Sequence, residues 1–248
     1  MTYGLGIDIG GSGIKGALVD VSTGEMVTER TRIPTPRKSS PKNVVAVVNE
    51  LVEGFADQLG DGPIGITVPA PVKSGKIMMM ANLHKSWVGL DADSFFSDSL
   101  GREVHLVNDA DAAGLAEVAF GAARGHDGVV VVTTLGTGIG TAIVHDGKLL
   151  PNTELGHLEI DGHDAESRAS SGFRERKRMS YKRWAKRLEK YYSTVERLLW
   201  PDLFVVGGGV SKNHEKFLPL MKLQTPIVAA KLLNQAGIIG ASLYATQR

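Results

Sequence analysis

Apolar residues in this chain recur with two different periods. Near the N-terminus, Gly4-Leu-Gly-Ile-Asp-Ile-Gly-Gly-Ser-Gly-Ile-Lys-Gly-Ala-Leu-Val-Asp20 places short runs of β-formers on either side of a glycine cluster. That spacing predicts strand, tight turn, strand. The same design returns at Gly128-Val-Val-Val-Val-Thr-Thr-Leu-Gly-Thr-Gly-Ile-Gly-Thr-Ala-Ile-Val-His-Asp-Gly147, about half the chain later, and reads as an internal duplication. Between the copies, Val44, Val45, Val48, Leu51, Val52 and Phe55 follow helical spacing and predict an amphipathic helix from Pro41 to Leu59. Strands are expected at Gly65–Val68 and Val104–Asp109, with a helix from Ala110 to Phe120. The second half predicts one long helix from Phe173 to Trp200, a strand and turn from Leu203 to Ser211, and a final helix from Asn234 to Ala245. Strands alternating with helices make this an α/β protein. The duplication predicts two similar α/β domains, residues 1–110 and 111–248, facing each other across a cleft, with the last helix able to pack back on the first domain.

Composition narrows the class. The chain has 248 residues, of which 42% are hydrophobic and 22% charged, which suits a packed globular protein and excludes disordered and collagen-like chains. There is no cysteine, so disulfides, thiolate zinc sites and a cysteine nucleophile are excluded together. A reducing cytoplasm fits. The N-terminal residues lack the basic region of a signal peptide, and no run of 18 apolar residues predicts a membrane span. Glycine is in excess, at 30 residues, which implies many places of positive φ or close backbone approach.

Two glycine-rich turns suggest chemistry. Turns with backbone amides turned outward make anion-binding concavities, so two of them can hold a polyphosphate chain from two sides; a tight hairpin alone would equally explain either turn. Asp8, just before the first turn, is placed to orient Mg²⁺ through water. Neither turn matches the P-loop or the Gly-x-Gly-x-x-Gly dinucleotide pattern. Asn108-Asp109 closes a strand, where ligands meet the carboxyl ends of α/β sheets. Asp109 there can accept a proton from a substrate hydroxyl or cap the helix that follows. Glu154-Leu-Gly-His-Leu-Glu-Ile-Asp-Gly-His163 concentrates carboxylates and imidazoles. Glu154 and His157 form a lone i, i+3 pair, thin support for a metal site, and the segment better suits a pocket for a polyhydroxylated ligand.

Together these motifs resemble the ROK family of sugar kinases and repressors, within the actin-like ATPase superfamily, and specifically its polyphosphate-using glucokinase branch. The resemblance runs over nearly the whole chain: Asp8-Ile-Gly-Gly-Ser-Gly-Ile-Lys-Gly-Ala17 and Leu135-Gly-Thr-Gly-Ile-Gly140 are similar to the two phosphate motifs, Asn108-Asp-Ala110 to the catalytic segment, Glu154-Leu-Gly-His157 to the sugar signature and Val206-Gly-Gly-Gly-Val-Ser211 to the nucleotide-side loop. It implies the two-domain actin-like (duplicated ribonuclease H-like) fold, with Asp109 as the base toward the 6-hydroxyl of glucose. It further implies Asn82, Asn108, Glu154, His157 and Glu166 as sugar-binding residues. For the donor, it implies Asp8, Gly10, Gly11, Ser12, Gly13, Lys15, Gly136, Thr137, Gly138, Gly207, Gly208 and Gly209. Polyphosphate or ATP as donor, Mg²⁺ as cofactor, a homodimer and a cytoplasmic location follow from the same resemblance; mannose as a second acceptor is left open. Two departures stand out. The family's His-plus-three-cysteine zinc motif is missing here, so a structural zinc is not expected and residues 163–172 must be held by other means. The first phosphate motif has Gly13 after Ser12, with Lys15 two positions later, a form associated with the polyphosphate-using branch.

Charge distribution adds an independent point. The chain carries a net charge of +1, which argues against a nucleic-acid partner. Residues 174–190, however, hold nine basic and two acidic side chains, a net +7, which leaves −6 on the rest. This segment reads either as a solvated helix face or as a surface attracting polyphosphate, in which Arg183, Lys186 and Lys190 steer the donor. The helix is expected to bury Tyr181, Trp184, Leu188, Tyr191, Val195 and Leu198. An ATP-restricted kinase and a repressor are the other readings; a repressor needs a helix-turn-helix, for which the strand beginning near Gly4 leaves no room.

Overall fold

The computed structural model describes residues 3–248. No helix among them is long and apolar enough to cross a membrane. The chain forms two compact units: residues up to Ala112 together with Gln235–Arg248, and Ala113–Asn234.

The first unit holds β1 (Tyr3–Ile9), β2 (Ile14–Asp20), β3 (Glu25–Met26), β4 (Thr31–Ile33), α1 (Pro41–Leu59), β5 (Ile64–Val68), β6 (Val72–Lys73), β7 (Lys76–Ile77), α2 (Ala92–Leu100), β8 (Val104–Asn108) and the start of α3 (Asp109–Ala119). The sheet order is β3-β2-β1-β5-β8, with β4 also on β2. β1 and β2 pair antiparallel from Tyr3↔Asp20 to Ile9↔Ile14, leaving Gly10–Gly13 as the turn. β5 runs parallel to both β1 and β8. β5 is buried along its whole length, as a parallel strand covered on both faces should be. α1 buries Val44, Val48, Leu51, Val52 and Phe55, the stripe its sequence spacing predicts.

The second unit continues with β9 (Val129–Leu135), β10 (Ile139–His145), β11 (Lys148–Leu150), β12 (Glu159–Ile160), β13 (His163–Asp164), α4 (Glu166–Ala169), α5 (Ser171–Arg176), α6 (Tyr181–Leu199), β14 (Leu203–Gly207) and β15 (Ile227–Ala229). Its sheet order, β11-β10-β9-β14-β15, repeats the first, with an antiparallel hairpin followed by two parallel strands. The recurrence of the glycine-rich hairpin in the sequence is thus a recurrence of the same sheet.

α7 (Ala236–Thr246) returns to the first unit. It lies so close on β1 and β5 that a Cβ at Gly6 would sit 1.9 Å from the Ile238 carbonyl oxygen, and one at Gly65 1.8 Å from that of Ala241. Glycine at these two strand positions is a packing requirement.

One expected element is different. Residues 173–200 do not form a single helix: α5 ends at Arg176, Arg178 adopts φ 46°, and the Ser180 hydroxyl caps α6 by accepting from the Arg183 amide at 3.3 Å. A side chain able to cap and a residue in the left-handed region interrupt the helix despite continuous helical spacing. The basic run therefore spans two helices. The buried face of α6 also differs: Leu198 is 61% exposed, whereas Ala185, Tyr192 and Glu196 are buried. Tyr192 shares a 2.6 Å hydrogen bond with Thr133 of β9, and Glu196 accepts from the Thr225 amide at 2.6 Å, so polar partners draw both inward.

Candidate active site

In the first unit the turn between β1 and β2 is fixed by its surroundings. The Gly10 amide donates to the Gly13 carbonyl at 3.1 Å, Thr35 Oγ1 to the Gly10 carbonyl at 2.6 Å, and Arg32 Nη2 to the Ser12 carbonyl at 2.7 Å. Gly13 is buried against Arg32, with a Cβ there 2.6 Å from Nε. Gly11 and Ser12 are exposed. Asn82, on the loop after β7, is exposed and close by, its carbonyl oxygen 3.5 Å from where a Cβ on Gly11 would lie. Asp8 is held from two sides: Oδ2 pairs with Lys15 Nζ at 2.9 Å and Oδ1 accepts from Thr67 Oγ1 at 3.0 Å. Lys15 is thus engaged by Asp8 within the hairpin. A carboxylate offers about four acceptor positions, so Asp8 retains capacity for water around a hydrated cation. That fits Mg²⁺, which keeps several waters, and fits less well direct ligation beside the Lys15 charge.

At the carboxyl end of β8, Asn108 and Asp109 take distinct roles. Asn108 is buried, and its Oδ1 accepts from the amides of Ala110 at 2.8 Å and Asp111 at 3.1 Å. Asn108, not Asp109, is therefore the cap of α3, which corrects the capping alternative drawn from the sequence. With Oδ1 committed, the Asn108 amide nitrogen is the group that can serve a ligand. Asp109 is exposed and is the first residue of α3, with Oδ1 accepting from the Ala110 amide at 2.9 Å.

In the second unit, the Gly136–Gly138 turn is a meeting point of three segments. The Gly136 amide donates to the Gly138 carbonyl at 3.0 Å, and the Gly172 amide to the Gly136 carbonyl at 2.8 Å. Glu166 Oε2 accepts from the Ile139 amide at 3.0 Å, and a Cβ at Gly138 would lie 2.2 Å from that oxygen. Gly208, at φ 81°, backs onto Leu135, where a Cβ would lie 2.4 Å from the carbonyl oxygen. Gly138 and Gly208 are accordingly required by protein neighbours. A Cβ at Gly136 or at Gly209 would meet nothing within 4 Å, and Gly136 and Thr137 are exposed. Gly207, the last residue of β14, is buried.

Glu154, His157 and Glu166 lie near one another. Burial pushes the Glu154 carboxyl up, His157 opposes that and Glu166 adds to it. His157 Nδ1 lies 2.7 Å from Asp164 Oδ2. This hydrogen bond raises the His157 imidazole, burial opposes it, and the charges of Glu166, Asp164 and Glu154 add to the rise. Asp164 also accepts the Ser167 amide on Oδ1 at 3.2 Å. His157, Asp164 and Glu166 bring one ligand atom each to within 4.8 Å of one another. Sequence spacing had shown only Glu154 and His157 as a pair; the missing member, Asp164, is brought in by the β12–β13 hairpin, in which Asp161 and Gly162 both have positive φ.

The segment from His163 to Gly172 is held by side-chain bonds. Arg168 Nη2 lies 2.8 Å from His163 Nε2, Ser170 Oγ accepts from the Phe173 amide at 3.2 Å, and Trp184 Nε1 donates to the Ala169 carbonyl at 2.8 Å. Of the proposed steering cations, Arg183, Lys186 and Lys190 are all exposed on α6, and Lys190 pairs with Asp161.

Comparison with known proteins places the chain among sugar kinases of known sequence and structure. The chain is 45% identical over 242 residues to the polyphosphate glucokinase of Mycobacterium tuberculosis (strain ATCC 25618 / H37Rv), covering 97% of this chain and 90% of that one. The crystal structure of inorganic polyphosphate/ATP-glucomannokinase from Arthrobacter sp. strain KM superposes with a TM-score of 0.94 at 47% identity, covering 100% and 99% of the two chains. A ROK family glucokinase from Streptomyces griseus, solved with glucose and AMPPNP, shares the fold with a TM-score of 0.84 at 22% identity, over 99% of this chain and 100% of that one. The ROK family profile itself matches residues 4–174, and the chain belongs to the ROK family.

Proposed function

We propose that this protein is a glucokinase that transfers the terminal phosphoryl group of inorganic polyphosphate, and of ATP, to the 6-hydroxyl of glucose. The observation that carries this reading is the 45% identity to polyphosphate glucokinase over 97% of the chain, along which the phosphate turns, Asp109 and the Glu154–Glu166 cluster all occur. The chemistry falls to Asp109: exposed at the end of β8, its carboxylate accepts the hydroxyl proton as the sugar oxygen attacks the terminal phosphorus and the P–O bond to the rest of the donor breaks, releasing polyphosphate one unit shorter, or ADP. The Asn108 amide nitrogen donates to a sugar hydroxyl while its oxygen caps α3. Glu154 and Glu166 accept from sugar hydroxyls, His157, whose Nδ1–H is given to Asp164, accepts through Nε2 when neutral, and Asn82 contributes from the loop beside Gly11. The backbone of Gly10–Gly13, Gly136–Gly138 and Gly207–Gly209 approaches the donor phosphates, and Lys15 balances charge at Asp8. Asp8 would hold Mg²⁺ through water, and the bound ion would neutralise charge on the donor. Arg183, Lys186 and Lys190 steer polyphosphate.

The name of the Arthrobacter enzyme favours mannose as a second acceptor, decided here by how the Glu154–Glu166 cluster treats the 2-hydroxyl. The same reading makes the enzyme a cytoplasmic homodimer, which sedimentation tests. The function itself is tested by following glucose 6-phosphate formation with nucleotide-free polyphosphate and, separately, with ATP: product from both is expected, product from ATP alone reduces the protein to an ATP-dependent kinase, and product from neither overturns the reading.

A further inference from the structure

Two depressions in the second unit share one residue. The first, of about 250 Å³, is lined by Arg168, Arg187 and Lys190 with Asp161 and His163. The second, of about 630 Å³, is lined by Lys190, Arg197 and Lys222. Lys190 belongs to both, so five cations follow one another across a continuous stretch of surface. At about 100° per residue, Arg183, Arg187, Lys190 and Arg197 fall within a single stripe of α6. From Arg187 to Arg197 the helix rises about 15 Å. Neither depression is dominated by carboxylates. Asp161 is occupied by Lys190, and the Glu196 carboxylate is turned inward to the Thr225 amide. Arg187 is braced by its guanidinium over the Phe173 ring at 5.2 Å, which holds it in place at little further entropic cost. Tyr191 completes the wall of the first depression, and its buried hydroxyl has no hydrogen-bond partner among the described residues.

A row of cations spaced along a helix fits a linear polyanion better than a compact one, because each charge then meets a different phosphate and releases a counterion. We propose that the stripe Arg187, Lys190 and Arg197, flanked by Arg168 and Lys222, is a track for the distal part of an inorganic polyphosphate chain whose reacting end is at the phosphate turns. The inference rests on the polyphosphate reading above and deepens it. It moves the main contact from the exposed side chains Arg183 and Lys186 to the cations that line the two depressions. Short donors do not reach the track, and long ones gain affinity from it by the same logic as a second binding module on one ligand.

The test compares the wild type with the triple variant Arg187→Gln, Arg197→Gln, Lys222→Gln. Each substitution retains a polar side chain and removes a charge. With long-chain polyphosphate, KM is expected to rise about tenfold or more, and the slope of log KM against log salt to fall by about two to three. KM for tripolyphosphate and for ATP, and kcat with either, should stay at wild-type values. An unchanged KM for the long chain overturns the track, and so does an equal rise for all donors, which would put these cations at the reacting end. If the wild type uses no polyphosphate at all, the proposed function has failed, and filter binding of labelled long-chain polyphosphate then decides the track separately: weaker retention by the variant supports it, equal or absent retention overturns it. Binding of single-stranded RNA as tight as that of polyphosphate at the same salt also overturns the assignment.

Discussion

Asp164 Oδ2 lies 2.7 Å from His157 Nδ1, and this contact determines which nitrogen of the imidazole would serve the proposed sugar pocket. With Nδ1 committed, Nε2 is the atom that can meet a hydroxyl. In metal sites, a carboxylate behind a histidine fixes its tautomer and ring orientation, and Asp164 stands in that position to His157 here.

The contact has a pH signature. The Asp164 hydrogen bond raises the His157 imidazole above its ordinary value of about 6.5. Its stabilising contribution is therefore complete below that value and is lost as pH rises through the raised, folded one. Asp164→Asn should lower the His157 titration midpoint measured by NMR, and the stability gap between wild type and variant should shrink from pH 6 toward pH 9. Both groups are substantially exposed, at 44% and 42%, so the gap is small. A midpoint unchanged by the substitution contradicts the assignment.

Two glycines on either side of Thr137 should respond differently to alanine. A Cβ at Gly138 would lie 2.2 Å from Glu166 Oε2 and force that carboxylate off the Ile139 amide, whereas a Cβ at Gly136 meets nothing within 4 Å. Gly138→Ala should raise KM for glucose through Glu166. Gly136→Ala should fold like the wild type and raise KM for the donor, because the methyl group occupies the space that a phosphate approaches. Steady-state kinetics on both variants checks this, and a Gly136→Ala enzyme with unchanged donor KM removes that turn from the donor site.

Glu117 anchors the edge of the second unit. It is buried, and its carboxylate accepts from the amides of Ala122 at 2.7 Å, Lys231 at 3.1 Å and Leu232 at 2.7 Å. Glu117→Ala leaves three backbone donors without their acceptor, a loss of about 2–5 kcal/mol. Thermal denaturation should show the midpoint fall by about 5–15 °C. A midpoint within about one degree of wild type would show that water replaces the carboxylate.

Much of this was legible in the sequence because the strongest signals are local. The turn residues Gly10–Gly13 and Gly136–Gly138, the stripe of α1 from Val44 to Phe55, and the strand ending at Asn108 are all set by neighbours close along the chain. What was missed depends on features that hydrophobic periodicity does not carry. The break between α5 and α6 turns on Arg178 and the Ser180 cap, which helical periodicity does not register. Asp164 could have been suspected from its place beside His163 and Glu166, but its pairing with His157 requires the β12–β13 hairpin. Gly138 and Gly208 read as glycines left free for phosphate; their neighbours are Glu166 and Leu135. That α7 could return to the first sheet was legible; that Gly6 and Gly65 admit its backbone, a relation spanning more than 170 residues of sequence, was not.

The central claim is that Asp109 accepts the proton of the sugar hydroxyl during phosphoryl transfer, and Asp109→Asn tests it most directly. Turnover with polyphosphate as donor is measured alongside glucose affinity by calorimetry. The account predicts that kcat falls about 10²–10⁴-fold while glucose affinity stays within about threefold of wild type, because the substitution preserves shape and removes only the base. A variant that keeps wild-type turnover contradicts it.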